Sequence, residues 1–99
     1  MSKSQVIETK YCKILKQAKI RENSEVYSIE KIFIKGLNQE EIRLAYYKDI
    51  TRRGVFQEEA FIPRPVDLTE DKLLELISKG ISQNVFSKVF VSKLKSILV

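Results

Sequence analysis

The most regular stretch of the chain is EIRLAYYK at 41–48, where Ile42, Leu44 and Tyr46 alternate with Arg43, Ala45 and Tyr47. A period of two sends successive side chains to opposite faces, so the pattern predicts a β-strand. Residues 26–35, VYSIEKIFIK, predict another, with a break in parity: Tyr27 and Ile29 take one face, Ile32 and Ile34 the other. Either a bulge at Glu30-Lys31 returns them to one face, or the far end of the strand is covered on both sides. Residues 6–15, VIETKYCKIL, alternate in part and predict a strand, in competition with a helical spacing of Tyr11, Ile14, Leu15 and Ala18. The polar run 16–25 carries a turn near Glu22-Asn-Ser, and Gly36-Leu-Asn-Gln predicts a hairpin turn. KDITRRG at 48–54 is a connection closed by Gly54, and VFQEEAFI at 55–62 is a further extended segment. Pro63 and Pro65 lack the N–H of a ladder, so the chain is at an edge, in a bulge or leaving the sheet there.

The periodicity then changes. Asp67-Leu-Thr-Glu-Asp is a helix start, with Thr69 as cap and Glu70 and Asp71 at the positive end of the helix dipole; Asp67 with Glu70 is a rival capping pair. Leu73, Leu74 and Ile77 form the expected buried stripe, and Gly80 the expected left-handed stop. From about Asn84 a second helix is predicted. Val85, Phe86, Val89, Phe90, Leu94, Ile97 and Leu98 give it one continuous apolar face. These groups must either cover a sheet face or meet a second chain, with Phe86, Phe90, Leu94 and Ile97 as the interface residues. Strands first and helices last predict a single α+β domain over 1–99. It has two layers: an antiparallel sheet of about four strands, then two C-terminal helices. Residues 1–5 are expected to be flexible.

Composition narrows the chemistry. There is no histidine and one cysteine, Cys12. Histidine-assisted nucleophiles and Cys/His zinc sites are therefore out of reach. The three glycines are isolated, so no phosphate-cradling loop is present. Glu58-Glu59 and Glu70-Asp71 are adjacent carboxylates, which a strand splits between faces and a helix start explains as capping. The expectation is a protein that is not an enzyme, with no catalytic residue, metal or cofactor. No apolar run reaches the length of about 18 that a spanning helix needs. No apolar leader opens the chain, so the expected location is cytoplasmic, without membrane association.

The net charge is +5 and is uneven: residues 1–21 hold six basic groups and one acidic group. Such asymmetry suits an anionic partner, nucleic acid first. Arg43 and Tyr47 share one strand face, Lys48 lies just beyond, and Arg52, Arg53 and Arg64 follow. Arginines fork onto phosphate oxygens and an exposed tyrosine offers a ring for a base to stack on. The competing reading packs both tyrosines in the core and pairs the arginines with Glu40, Glu58 or Glu59.

Three segments, IEKIFIKG, EIRLAYYK and RPVDLTEDKLLEL, together resemble the PC4-like transcriptional coactivator family, which binds single-stranded DNA. The resemblance covers residues 29–79. It implies a twisted antiparallel sheet followed by a helix, a dimer formed largely through helices, and basic and aromatic sheet-face groups that hold unpaired DNA in transcription or replication. Arg64 would take the basic position before the helix, Arg43 and Tyr47 the sheet face, and Arg52 and Arg53 the preceding loop. Pro65 stands where the family commonly has glycine, and the helix from Asn84 is additional to the common plan. The alternative function is a protein-interaction module, a small regulatory or inhibitory partner acting through the apolar terminal helix.

Overall fold

In a computed structural model, which describes residues 7–99, four strands form one antiparallel sheet in the order β1-β2-β3-β4. They are β1 (Cys12–Glu22), β2 (Glu25–Ile34), β3 (Gln39–Arg52) and β4 (Val55–Phe61), followed by α1 (Glu70–Ser82) and α2 (Lys88–Leu98). The expected two-layer α+β architecture is therefore the observed one. Residues 1–5 lie outside the described residues.

The hairpins use the turn chemistry their length demands. Asn23 (φ 56°) turns β1 into β2, and Asn38 (φ 50°) sits in the turn that begins at Lys35. Only Arg53 (φ 53°) and Gly54 (φ 77°) separate β3 from β4. Two successive left-handed residues match the right-handed twist of the flanking strands. The expected 48–54 connection is thus mostly strand, and β1 runs through the stretch read as polar linker.

Tyr27 and Ile29 face α1, while Ser28, Glu30 and Ile32 face the other way, and all but Tyr27 are buried. The register of β2 on β3 is unbroken, so the parity break at Glu30-Lys31 marks a strand covered on both sides. The irregularity lies instead in β1, between Ile14 and Lys16. It flips Cys12 and Ile14 away from the face that Ala18 and Ile20 share with α1. A second shift lies at the other edge, where Glu58 and Glu59 of β4 stand opposite Asp49 of β3. Bulges add bend and twist to a sheet. The two edge strands consequently come within side-chain reach: Lys19 and Arg21 of β1 bond Glu59 of β4 at 2.9 and 3.1 Å. The sheet is curled, and the face away from α1 is concave.

α1 begins at Thr69, whose side chain accepts from the Lys72 N–H. It packs on β1 and β2 through Leu76, fully buried with Ala18, Ile20, Ile29 and Val85. The expected stripe is displaced: Leu74 is 67% exposed, Leu73 is also exposed, and Leu76 and Gly80 face the sheet. Gly80 is not the stop. It lies inside the helix, which ends at Ser82, and Asn84 (φ 60°) is the left-handed residue. What requires glycine at 80 is space, because a Cβ there would stand 2.8 Å from Phe86 Cε2 and 3.3 Å from Ile29 Cγ2. Phe86 thus packs under α1 against the core instead of joining the exposed face of α2. Ser87 caps α2, accepting from the Phe90 N–H.

Gly80→Ala will destabilise the fold despite the better helix propensity of alanine. Overpacking costs about 1–3 kcal/mol, against a propensity gain of about 1 kcal/mol. Urea unfolding should show the lower midpoint with an unchanged slope, and a Gly80→Ala variant as stable as the wild type would refute the contact.

Candidate nucleic-acid interface

The concave face has a buried polar floor. Glu30 is fully buried, accepts four hydrogen bonds and makes an ion pair with Arg43. Its Oε2 takes Gln17 Nε2 at 2.6 Å, Ser28 Oγ at 2.9 Å and Tyr47 Oη at 2.5 Å. Its Oε1 takes Arg43 Nε at 3.0 Å and Arg43 Nη2 at 2.9 Å. The carboxylate therefore ties β1, β2 and β3 together. Arg43 is part-buried. Burial works against its charge, but Glu30 outweighs that and raises its pKa above the ordinary arginine value. Its guanidinium also lies 5.3 Å from the Phe61 ring centroid, and Phe61 meets Tyr47 edge-on at 5.8 Å.

Above this floor opens a cleft of about 580 Å³. Its aromatic lining is Tyr11, Phe61 and Tyr47, the last buried and not the exposed ring expected; its polar groups include Arg43, Arg52 and Gln57; and among the described residues no carboxylate side chain lines it. Tyr11 is 69% exposed, with Lys10 Nζ 5.2 Å from its ring. The wall bearing Tyr11 folds back on the sheet. Lys35 Nζ holds it by donating to Glu8 at 2.6 Å and to the Thr9 carbonyl at 2.7 Å. At the opposite wall the ladder shifts between Lys48 and Ile50, where Glu58 and Glu59 of β4 stand opposite Asp49 as a bulge, and Ile50 and Arg52 line the cleft beyond it.

One end is closed by an ion-pair clasp. Arg21 forks onto Asp49 at 2.9 and 3.3 Å and reaches Glu59, to which Lys19 also donates. The Glu59 N–H donates to Asp49 at 3.0 Å, and Glu59 holds φ 52° to do so. Arg21 and the Glu59 N–H pull the Asp49 pKa below the usual carboxylate value. Burial opposes the charge on Glu59, yet Lys19 and Arg21 outweigh it and lower that pKa too.

The candidate residues from sequence fall into three groups. Arg43, Tyr47 and Arg52 come together at the cleft, with Arg53 at the adjacent hairpin tip. Arg43 and Tyr47 are engaged with Glu30, so the acid that neutralises Arg43 is one that no sequence pairing with Glu40, Glu58 or Glu59 anticipated. Arg64 lies on the opposite face. Its guanidinium stacks 4.2 Å from the Tyr46 ring centroid, in a row that continues through Tyr27 (5.4 Å) to Lys72 Nζ (4.4 Å). Lys48 shares the strand parity of Tyr46 and also faces away from the cleft. Tyr11, Phe61 and Gln57 were not anticipated as site residues; Tyr11 immediately precedes β1, and Gln57 and Phe61 lie on β4. Among the described residues no cluster of three potential metal ligands exists, and no helix is long and apolar enough to cross a membrane.

In comparisons with known proteins, no family model, no curated protein and no solved structure matches this chain. The family resemblance rests on its three sequence segments alone.

Two outcomes follow from this geometry. Glu30→Ala leaves a part-buried guanidinium without its counter-charge and Tyr47 Oη without that acceptor. It should cost about 3 kcal/mol, read as a lower urea midpoint. For the clasp, both carboxylates have pKa values lowered by folding. Their stabilisation is complete above the ordinary carboxylate range of about 4 and is lost as pH falls through the lower folded values. Thermal melts between pH 6 and pH 3 should show that loss, and the Asp49→Asn/Glu59→Gln protein should show a smaller one.

Proposed function

We propose that the chain binds an unpaired nucleic-acid strand, DNA in the first instance, in the concave cleft, and that it works by binding and not by catalysis. One observation carries this reading: arginine and exposed aromatic side chains converge on an open cleft that, among the described residues, no carboxylate side chain lines. An unpaired base has a π-face that a duplex hides, and Tyr11 and Phe61 offer rings for it. Arg52 and Arg53 form no ion pair among the described residues, so their guanidinium groups are available to phosphates. Arg43 contributes differently. Clamped by Glu30, it presents a fixed guanidinium plane beside Phe61, suited to stacking and to directional hydrogen bonds. The net charge of +5 favours encounter with a polyanion. Arg64 and Lys48 have no part in this reading, because they face away from the cleft.

A protein partner is favoured by a separate observation: no residue of α2 is buried.

The test is fluorescence anisotropy with a labelled single-stranded oligonucleotide at two salt concentrations. Binding should weaken as salt rises, with a slope reduced by about 0.7 for each phosphate contact removed. Arg52→Ala combined with Arg53→Asn should weaken binding and flatten that slope; asparagine is chosen at 53 because it tolerates the positive φ. Tyr11→Ala should cost about 1–3 kcal/mol if one base stacks there. An absence of binding at low salt would overturn the proposal.

A further inference from the structure

The helices hold a surface that the fold leaves uncovered. Among the apolar residues of α2, Val89, Phe90, Ile97 and Leu98 are exposed, Ile97 and Leu98 at 76% each. On α1, Leu74 and Ile81 are exposed beside the stripe that packs on the sheet. The charges that border these two surfaces are opposite in sign. α2 carries Lys88, Lys93 and Lys95 and no acid. Helical periodicity sets Glu70 and Asp71 one turn from Leu74, at the opposite end of α1 from Ile81. Lys72 and Lys79 lie on the other flank, where they reach Glu22 and the Lys19 carbonyl of β1. Glu70, Asp71, Lys88, Lys93 and Lys95 form no ion pair among the described residues.

We infer that this surface is covered by a second copy of the chain, with α2 of each copy lying along α1 of the other. Self-pairing of α2 would set three lysines against three lysines. Crossed pairing instead brings the lysines of α2 to Glu70 and Asp71 of the partner and covers both apolar surfaces at once. The helices are matched in length: thirteen and eleven residues, or about 20 and 16 Å at 1.5 Å per residue. A two-fold axis repeats the contact and closes the assembly. α1 lies on the side of the sheet away from the cleft, so this inference does not depend on nucleic-acid binding.

Sedimentation velocity over a concentration series tests it on the full chain. The wild type should be a dimer. Glu70→Lys/Asp71→Lys makes both paired surfaces basic, and Lys93→Glu/Lys95→Glu makes both acidic. Each should weaken the dimer about a hundredfold. Mixed in equal amounts, the two variants should form a 1:1 heterodimer, because both crossed contacts are then complementary. Formation on mixing also shows that both variants are folded. Leu74→Glu and Ile97→Glu, at sites the fold does not bury, should each leave a monomer with an unchanged circular dichroism spectrum. A wild type that is monomeric at every concentration overturns the inference. So does a dimer whose charge variants still self-associate, or fail to pair on mixing.

Discussion

A carboxylate without solvent must be held by hydrogen bonds or lose its charge, and Glu30 stands at the floor of the curled sheet under that constraint. Each of its four hydrogen-bond donors comes from a residue of β1, β2 or β3, so the strands can satisfy it only in one register and one curvature. A slip of one residue would move Glu30 to the face of α1, where Leu76 and Val85 offer it nothing. Breaking such a network by removing one partner costs far more than the network adds over a well-packed apolar floor. The network's contribution is therefore to specify the arrangement more than to add stability. It also fixes Arg43: a long side chain with many rotamers is held beside Phe61 at the mouth of the cleft.

The curl comes from a second device. Two bulges, one in each of the edge strands β1 and β4, interrupt the ladder at its ends. Cys12 and Ile14 reach the concave face because of the first, and Ile50 and Arg52 line the cleft just past the second. The clasp of Lys19, Arg21, Asp49 and Glu59 then joins the two edge strands across the opening. Bulge and clasp are coupled, since the extra residue in β4 goes with the left-handed backbone of Glu59, whose N–H is directed at Asp49. The cleft is a property of irregularities in the ladder, while the regular ladder supplies only its floor.

That division explains which features could be read from the chain. Alternation at 41–48 marked β3 because each residue there obeys a local period. The strands-then-helices order gave the two-layer class for the same reason. Bulges leave no such mark, since an added residue changes parity only relative to a partner strand. Arg52 therefore read as a loop residue although it ends a strand and faces the cleft. Arg64 illustrates the converse. Its place before the helix was legible, but its face depends on how the chain leaves β4 through Pro63, and it stacks on Tyr46. In α1, Leu73, Leu74, Leu76 and Ile77 all fit an apolar stripe. Only packing on Ala18 and Ile29 selects Leu76, and only the proximity of Phe86 explains Gly80.

The amphipathic pattern of α2 was legible in full, and what it implied was a demand rather than a location. A helix of eleven residues is too short to persist in water on propensity alone, so its stability must come from what its apolar face touches. Within the chain that contact is meagre: Phe90 meets Phe86 at 4.9 Å, Val91 and Leu94 are half-buried, and Ile97 and Leu98 touch water. Phe86 cannot supply more, because Gly80 draws it under α1. The same close approach that seats Phe86 in the core thus leaves α2 standing off the sheet, with Ile42 and Leu44 of β3 uncovered beside it. An apolar sheet face, an apolar helix and unpaired charges of both signs lie on the side opposite the cleft, so association of copies there leaves the arginine and aromatic walls open to a separate ligand.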